Sequence, residues 1–342
     1  MANYKSIKGF EIQSRSSDPD NPIVGDFYYN TTAGSFKVVK DGGVPIGAWS
    51  SGGNLNQRRG SNAGFGISSS ATITSGGAYD PGPPSSAYTE SYNGSAWTEV
   101  GDMNQGRQSQ AALGTSTAGM NAGGYASPSP GADINNVETW NGASWTETTD
   151  INTARSGIRG AGSTTAAVVM GGYNPPPVLQ MTNTEVWNGS SWTEVNELNT
   201  RRTNASAAQQ SPSTSTLIYA GYTTPPPNTA TTESLIGSSC TEVANLNSAK
   251  DNAGGTGTST SSAMIMGGRG PLTATEYYDG TSWTEVADLA KGRGYVASAG
   301  NGASTAMISG GESPDPSPPN YYDNQTEEWS AADQEIKTVT TS

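Results

Sequence analysis

Short apolar and alternating segments, separated by turn residues, run through the chain from residue 54 onward. In one copy, the Gly-rich stretch 157–162 is followed by the apolar run Ala166–Met170 and then by two alternating segments, Thr184–Trp187 and Trp192–Val195. A period of two predicts half-buried strands. Asn188-Gly189, between the last two segments, predicts a hairpin turn because both residues tolerate positive φ. The pattern predicts four short strands in each copy, and helical periodicity extends over no useful length.

The pattern occurs six times. The second aromatic position of successive copies is occupied by Trp97, Trp145, Trp192, Cys240 and Trp283, so the spacing is 48, 47, 48 and 43 residues. A fixed period in this range predicts supersecondary units that stack on one another to bury a common core. Four antiparallel strands in each period are typical of a β-propeller blade.

The sixth copy lacks a second Trp, so its outer strand must come from elsewhere in the chain. Either residues 335–340 or residues 47–50 could supply it. Trp49 precedes Leu55 at the spacing that separates Trp97 from Met103, which favours a closure that mixes the two chain ends.

A double Gly, then an aromatic residue before a turn, then Trp about five residues later resembles the kelch repeat. The resemblance covers residues 54–342 and implies an all-β fold with a six-bladed kelch-like β-propeller. We expect two domains, a small N-terminal β-hairpin module at 1–50 and the propeller at 51–342.

Residues 1–50 follow a different pattern. Phe27–Tyr29 and Phe36–Lys40 flank a polar turn and predict a β-hairpin. The Ser-Asp-Pro-x-Asn-Pro segment at 17–22, the segment Tyr29–Thr32 and Lys37 resemble the N-terminal segment of structural proteins from marine tailed phages, where it precedes kelch-like arrays. This resemblance implies a virion component such as a tail fibre, a spike or a capsid decoration protein. The module would then attach the chain to other virion proteins, and the alternative is a hairpin that caps the propeller.

Composition and charge limit the classes of fold and partner that the chain can have. Only 32% of residues are hydrophobic, which would suit disorder, but the regular aromatic positions argue for a fold. The net charge of −13 disfavours nucleic-acid binding because such a surface repels phosphate. Neither a signal pattern nor an apolar run of about 20 residues is present, so we expect no export by the usual route and no membrane insertion.

The residue types exclude several chemistries. Without His, triad catalysis and imidazole metal sites are ruled out, and no cofactor is expected. Some kelch propellers are copper-radical oxidases, which need His ligands and a Tyr-Cys crosslink that this sequence does not provide. Cys240 takes a Trp position and is expected to be a small buried apolar residue. Glycoside hydrolysis needs a unique carboxylate pair, whereas the acids here recur in columns, so we expect no enzyme.

Two charged columns are complete. The basic column contains Arg59, Arg107, Arg155, Arg202, Lys250 and Arg293. The acidic column contains Glu90, Glu138, Glu185, Glu233, Glu276 and Glu327. In a propeller both would lie on the face that carries the loops between second and third strands. They could form ion pairs at a partly buried site, within or between blades, which their complete repetition favours, or the cations could bind an anionic ligand such as an acidic peptide or sugar.

The loops on that face are rich in Pro, and four begin with a tyrosine: Tyr79, Tyr125, Tyr173 and Tyr222. Stiff loops and aromatic rings suit stacking on sugars or partner side chains, and spacers are the alternative. We therefore predict a non-enzymatic phage virion structural protein whose loop face contacts the host surface or its glycan. The alternatives are an intracellular kelch adaptor that binds an acidic peptide, and a carbohydrate-active enzyme. A homo-oligomer is compatible with the sequence, although no heptads impose a trimer.

Overall fold

The computed structural model describes residues 12–18, 26–40, 47–79, 85–127, 131–175, 179–224, 228–312, 321–331 and 335–338. Within these ranges every regular element is a β-strand, and none is a helix long and apolar enough to cross a membrane. The all-β prediction is confirmed.

The strands are short and follow the repeat. The first fourteen are β1 (Gln13–Arg15), β2 (Phe27–Asn30), β3 (Ser35–Lys40), β4 (Gly47–Ser51), β5 (Ala63–Ser68), β6 (Ala71–Ser75), β7 (Thr89–Tyr92), β8 (Trp97–Glu99), β9 (Ala111–Thr115), β10 (Ala118–Ala122), β11 (Tyr125–Ala126), β12 (Ala132–Asp133), β13 (Val137–Trp140) and β14 (Trp145–Thr148). The next eight are β15 (Arg159–Ser163), β16 (Ala166–Met170), β17 (Thr184–Trp187), β18 (Trp192–Glu194), β19 (Ser206–Ala207), β20 (Ser215–Tyr219), β21 (Thr232–Ile236) and β22 (Ser239–Val243). The last eight are β23 (Gly254–Ser259), β24 (Ser262–Met266), β25 (Thr275–Tyr278), β26 (Trp283–Val286), β27 (Ala297–Gly300), β28 (Thr305–Ser309), β29 (Thr326–Ala331) and β30 (Glu335–Thr338).

The chain divides into two compact units, residues 47–331 and residues 1–46 with 332–342. In the described part of the larger unit, the strands form six four-stranded antiparallel sheets and the two-stranded ribbon β11–β12. Five of the six sheets are consecutive in sequence: β5–β8, β9/β10/β13/β14, β15–β18, β19–β22 and β23–β26. The first strands of successive sheets lie side by side, and β27 returns to β5, so the sheets form a ring.

The core fills the spaces between neighbouring sheets. One cluster joins Leu113 and Met120 of the second sheet to Val169 and Trp192 of the third. Small inner residues allow this close approach: a Cβ added to Gly119 would lie 2.1 Å from a ring carbon of Phe65 in the first sheet. Apolar burial of this kind is the main favourable contribution to folding.

The ring closes with a strand from the N-terminal side. β4 pairs antiparallel with β29, and Trp49 lies opposite Trp329 as Trp192 lies opposite Trp187. Of the two expected outer strands, the N-terminal one is therefore observed. Strand β30 pairs instead with β3, in the small unit. The observed units thus differ from the expected 1–50 and 51–342 by exchanging these two strands.

Six backbone hydrogen bonds form a closed circuit at the entry to the inner strands. Each N–H donates to the carbonyl of the equivalent residue in the preceding sheet, over 2.7–3.0 Å. The members of this hydrogen-bonded ring are Ser61, Ser109, Gly157, Asn204, Asn252 and Tyr295. All six have φ between 51° and 62°, a left-handed conformation that is uncommon for residues other than Gly.

The smaller unit is one mixed sheet with the order β1-β2-β3-β30. Its hairpin turns at Gly34, whose φ is 61°, and the rings of Phe27 and Phe36 stack with centroids 5.4 Å apart. The Asp18 carboxylate accepts hydrogen bonds of 2.8 Å from Tyr28 and Asn30, which lower the pKa of Asp18. The rest of the phage-like segment, residues 19–22, lies outside the described residues.

Candidate functional site

Each sheet of the ring holds one buried ion pair between the two charged columns. The N–O distances are 2.6 Å for Arg107–Glu138, 2.9 Å for Arg155–Glu185, 2.5 Å for Arg202–Glu233, 2.8 Å for Lys250–Glu276 and 2.6 Å for Arg293–Glu327, and Arg59 pairs with Glu90 in the same way. In the third sheet, Arg155 also donates to the carbonyls of Gly171 and Asn183 at 3.0 and 2.9 Å. Burial lowers the pKa of Arg155, and the charge of Glu185 partly offsets that effect.

These contacts decide between the two interpretations of the basic column, which were ion pairs and a ligand site. Its six cations are between 0% and 2% exposed. The carboxylates are occupied as well, since Glu185 accepts from the backbone N–H of Asn152 at 2.7 Å. The basic and acidic columns therefore form ion pairs. This corrects the prediction of ligand binding by Arg59, Arg107, Arg155, Arg202, Lys250 and Arg293, because their charged groups offer no surface to a ligand.

The four predicted tyrosines are half-buried. Tyr173 forms β-bridges with Ser156 and Gln180, so its position is fixed by backbone pairing on both sides. Tyr125 bridges to Gln108, and Tyr79 packs against Tyr88 with centroids 5.8 Å apart. The Pro-rich parts of the loops, 80–84, 128–130, 176–178, 225–227 and 313–320, lie outside the described residues.

Two of the tyrosines share one pocket. Tyr173, Gln180, Asn204 and Tyr222 line a surface depression of about 220 Å³ beside the hydrogen-bonded ring. The Thr224 hydroxyl donates to the Gln180 side-chain carbonyl at 2.6 Å and orients that amide. The pocket therefore combines two aromatic rings with amide groups, a combination suited to a polar ligand with apolar faces.

A charged cluster adjoins this pocket. The Arg269 guanidinium lies 5.3 Å from the centre of the Tyr222 ring, and its Nη2 is 3.0 Å from Oδ2 of Asp251. Asn252 donates to the same carboxylate oxygen at 2.8 Å. The Asp251 side chain is 1% exposed while that of Arg269 is 43% exposed. Asp251 thus holds Arg269 in place and leaves part of the cation open to a ligand.

A second acid belongs to the same cluster. Burial raises the pKa of Glu312, and the hydrogen bond from Tyr321 and the charge of Arg269 partly offset that effect. Tyr321 donates to Glu312 at 2.8 Å, which with burial raises the pKa of Tyr321 to about 12. Asp251 and Glu312 stand outside the repeated columns. The sequence did not lead us to predict this cluster. The signal that could have identified it is that each of its charged residues occurs in only one copy of the repeat.

Cys240 is less buried than predicted. It is half-exposed and lies opposite Leu235, where other sheets have an aromatic pair. Burial nevertheless raises the pKa of its thiol to about 11. In the part of the chain that the structure describes, no three His, Cys, Asp or Glu side chains are grouped as metal ligands.

Comparison with known proteins supports the fold. No protein-family model matches the chain, and neither does any curated protein sequence. Among solved structures, that of YjhT, a β-propeller, matches with a TM-score of 0.66 and 14% identity, covering 84% of this chain and 99% of that one. At this identity the likeness concerns the fold alone. The chain has a propeller-like all-β fold built from four-stranded antiparallel sheets.

Proposed function

We propose that the chain is a virion structural protein of a tailed phage, a six-bladed kelch-like propeller whose loop face binds a glycan of the host surface. The observation that carries the binding role is the pocket between Tyr173 and Tyr222. Aromatic rings bind the apolar faces of sugars, and the adjoining amides and Arg269 can bond to hydroxyl or acidic groups.

The virion assignment rests on the N-terminal sequence and its resemblance to phage structural proteins. The small unit would attach the chain to other virion proteins. Labelled full-length protein and a 47–331 fragment should be mixed with virions that lack this protein. We expect only the full-length chain to bind, and equal binding by the fragment would contradict attachment through the small unit.

Glycan binding is tested with an array of bacterial surface polysaccharides. We expect Tyr222→Ala to weaken binding about tenfold, the equivalent of about 1.4 kcal/mol of lost stacking. Tyr222→Phe should bind like the parent, because the ring is kept. Tyr29→Ala, a half-buried tyrosine of the small unit, is the matched control and should change nothing. Unaltered binding by Tyr222→Ala would contradict the role of this pocket.

An acidic-peptide adaptor is less well supported, since the cations of the basic column are buried in ion pairs. Arg269, whose side chain is 43% exposed, is one cation that such a peptide could contact.

A carbohydrate-active enzyme is the second candidate, and Asp251 with Glu312 favours it. These two acids are unique in the repeat, and burial raises the pKa of Glu312, as the general acid of such a pair requires. Glycans that the parent binds should be incubated with parent, Asp251→Asn and Glu312→Gln. Product release that Glu312→Gln abolishes would establish an enzyme, whereas binding without product supports the structural protein.

A further inference from the structure

A small chamber lies on the axis of the ring of sheets. It has a volume of about 20 Å³ and is lined by inner-strand residues, among them Asn62, Gln110, Arg159, Gln209 and Ser298. This is room for about one or two water-sized particles. A glycan or a peptide is far too large to enter.

Both ends of the chamber are restricted. The hydrogen-bonded ring surrounds one end, because its members directly precede the lining residues. At the other end, the Gln210 side chain crosses from the fourth sheet and donates to the carbonyls of Gly66 and Gly114 at 3.3 and 3.0 Å. The first strand of the fourth sheet, β19, has only two residues, and Gln210 lies three residues beyond its end. The chamber thus admits only a small solute.

Arg159 brings a positive charge into this chamber. Its position two residues after the hydrogen-bonded ring is occupied in the other copies by small residues: Ala63, Ala111, Ser206, Gly254 and Ala297. Its only hydrogen bond to a described residue is from Nη1 to the carbonyl of Ile158, at 3.0 Å. No carboxylate of the described residues forms an ion pair with it, unlike the six cations of the basic column. Burial lowers the pKa of Arg159 to about 10, so the group stays charged at neutral pH.

Other polar groups in the chamber are also unsatisfied. The side-chain oxygens of Asn62, Gln110 and Gln209 are buried and have no hydrogen-bond partner among the described residues. The amides of Asn62 and Gln110 are oriented by their own donations, to Thr74 at 2.8 Å and to the carbonyl of Ser75 at 3.1 Å. These oxygens can accept from water but supply no full negative charge. Arg159 is half-buried, and a cation confined in this chamber without a counter-charge is costly, so an anion should accompany it.

We propose that the chamber is a site for a small monovalent inorganic anion such as chloride, bound by the Arg159 guanidinium. A water molecule beside the anion would donate to the amide oxygens. On the axis, the anion balances the charge of Arg159, as a Glu side chain balances the cation of the basic column in each sheet. The anion is held by Arg159 of the third sheet and lies among inner-strand residues of the other sheets.

The direct test is a crystal of the full-length protein grown in sodium bromide. We expect an anomalous peak within hydrogen-bond distance of Arg159. A chamber that holds only water would overturn the proposal.

A solution test uses thermal unfolding at constant ionic strength, with gluconate replaced stepwise by chloride. The melting temperature of the parent should rise and saturate, while that of Arg159→Met should not depend on chloride. Arg15→Met removes the same charge from an exposed position and should behave like the parent. The same chloride dependence in parent and Arg159→Met would overturn the proposal, and the bromide experiment on the parent remains decisive if Arg159→Met does not fold.

Discussion

Trp49 and Trp329 lie directly opposite each other on neighbouring strands, with ring centroids 5.6 Å apart, although 280 residues separate them in sequence. The Trp49 indole also donates to the carbonyl of Ala287 at 3.0 Å and so reaches the preceding sheet. Trp49, which comes from the N-terminal side of the chain, therefore contacts both strand β29 of its own sheet and the preceding sheet of the ring.

Trp49→Ala should lower the free energy of unfolding by about 2–3 kcal/mol, less than a fully buried Trp because Trp49 is only half-buried. Urea unfolding measures the change. Ser50→Ala, at an exposed position in the same strand, should stay within about 0.5 kcal/mol of the parent. Equal losses in both variants would show that the strand, and not the ring contact, carries the stability.

Arg155→Ala should cost about 3–5 kcal/mol, because it leaves the Glu185 carboxylate buried without its partner. The double variant Arg155→Met/Glu185→Met should lose less than Arg155→Ala, since no charge remains unpaired. Thermal or urea unfolding of both reports the difference. A melting temperature of Arg155→Ala equal to that of the parent would contradict a structural role for the pair.

Cys240→Trp should stabilise the protein by about 1 kcal/mol. In other sheets an indole N–H donates to a Thr hydroxyl of the preceding sheet, as Trp283 does to Thr232 at 3.0 Å. The equivalent hydroxyl of Thr184 is buried without a partner, because Cys240 stands where the donor would be. In a Thr184→Val background the gain should disappear, which urea unfolding of the four proteins will measure.

Gly157→Ala should destabilise more than Gly237→Ala. Both glycines have φ of 62°, so the conformational cost of about 1–2 kcal/mol is shared. A Cβ on Gly157 would lie 2.0 Å from the Thr203 hydroxyl, whereas one on Gly237 meets nothing within 4 Å. The difference in unfolding free energy between the two variants measures crowding at the hydrogen-bonded ring, and equal costs would argue against it.

The Cys240 thiol should react slowly at neutral pH. A pKa raised to about 11 leaves little thiolate at pH 8. The rate of alkylation by iodoacetamide should therefore rise nearly tenfold for each pH unit between about 8 and 10. A rate that levels off near pH 9.5 or below would indicate an ordinary thiol, whose pKa is about 8.5.

Repetition explains what the sequence could predict. Trp, Asn-Gly and the paired charges recur in register, so the strands, the ion-pair option and the Trp49 strand could be inferred by comparing copies. Arg159 and Arg269 each occur in a single copy, so a comparison of copies gives them no weight. Pairing of Glu335–Thr338 with β3 was not predicted, because no aromatic or turn marks that partner.

The pairing of β3 with β30 places the strands that precede and follow the larger unit side by side in one small sheet. In genetic terms, residues 47–331 form an insertion between two adjacent strands. Recombination at the two junctions would replace the whole larger unit as a cassette and keep the sheet that receives it. All six sheets of the ring and their loops would then change in one exchange, without gradual rebuilding of single loops.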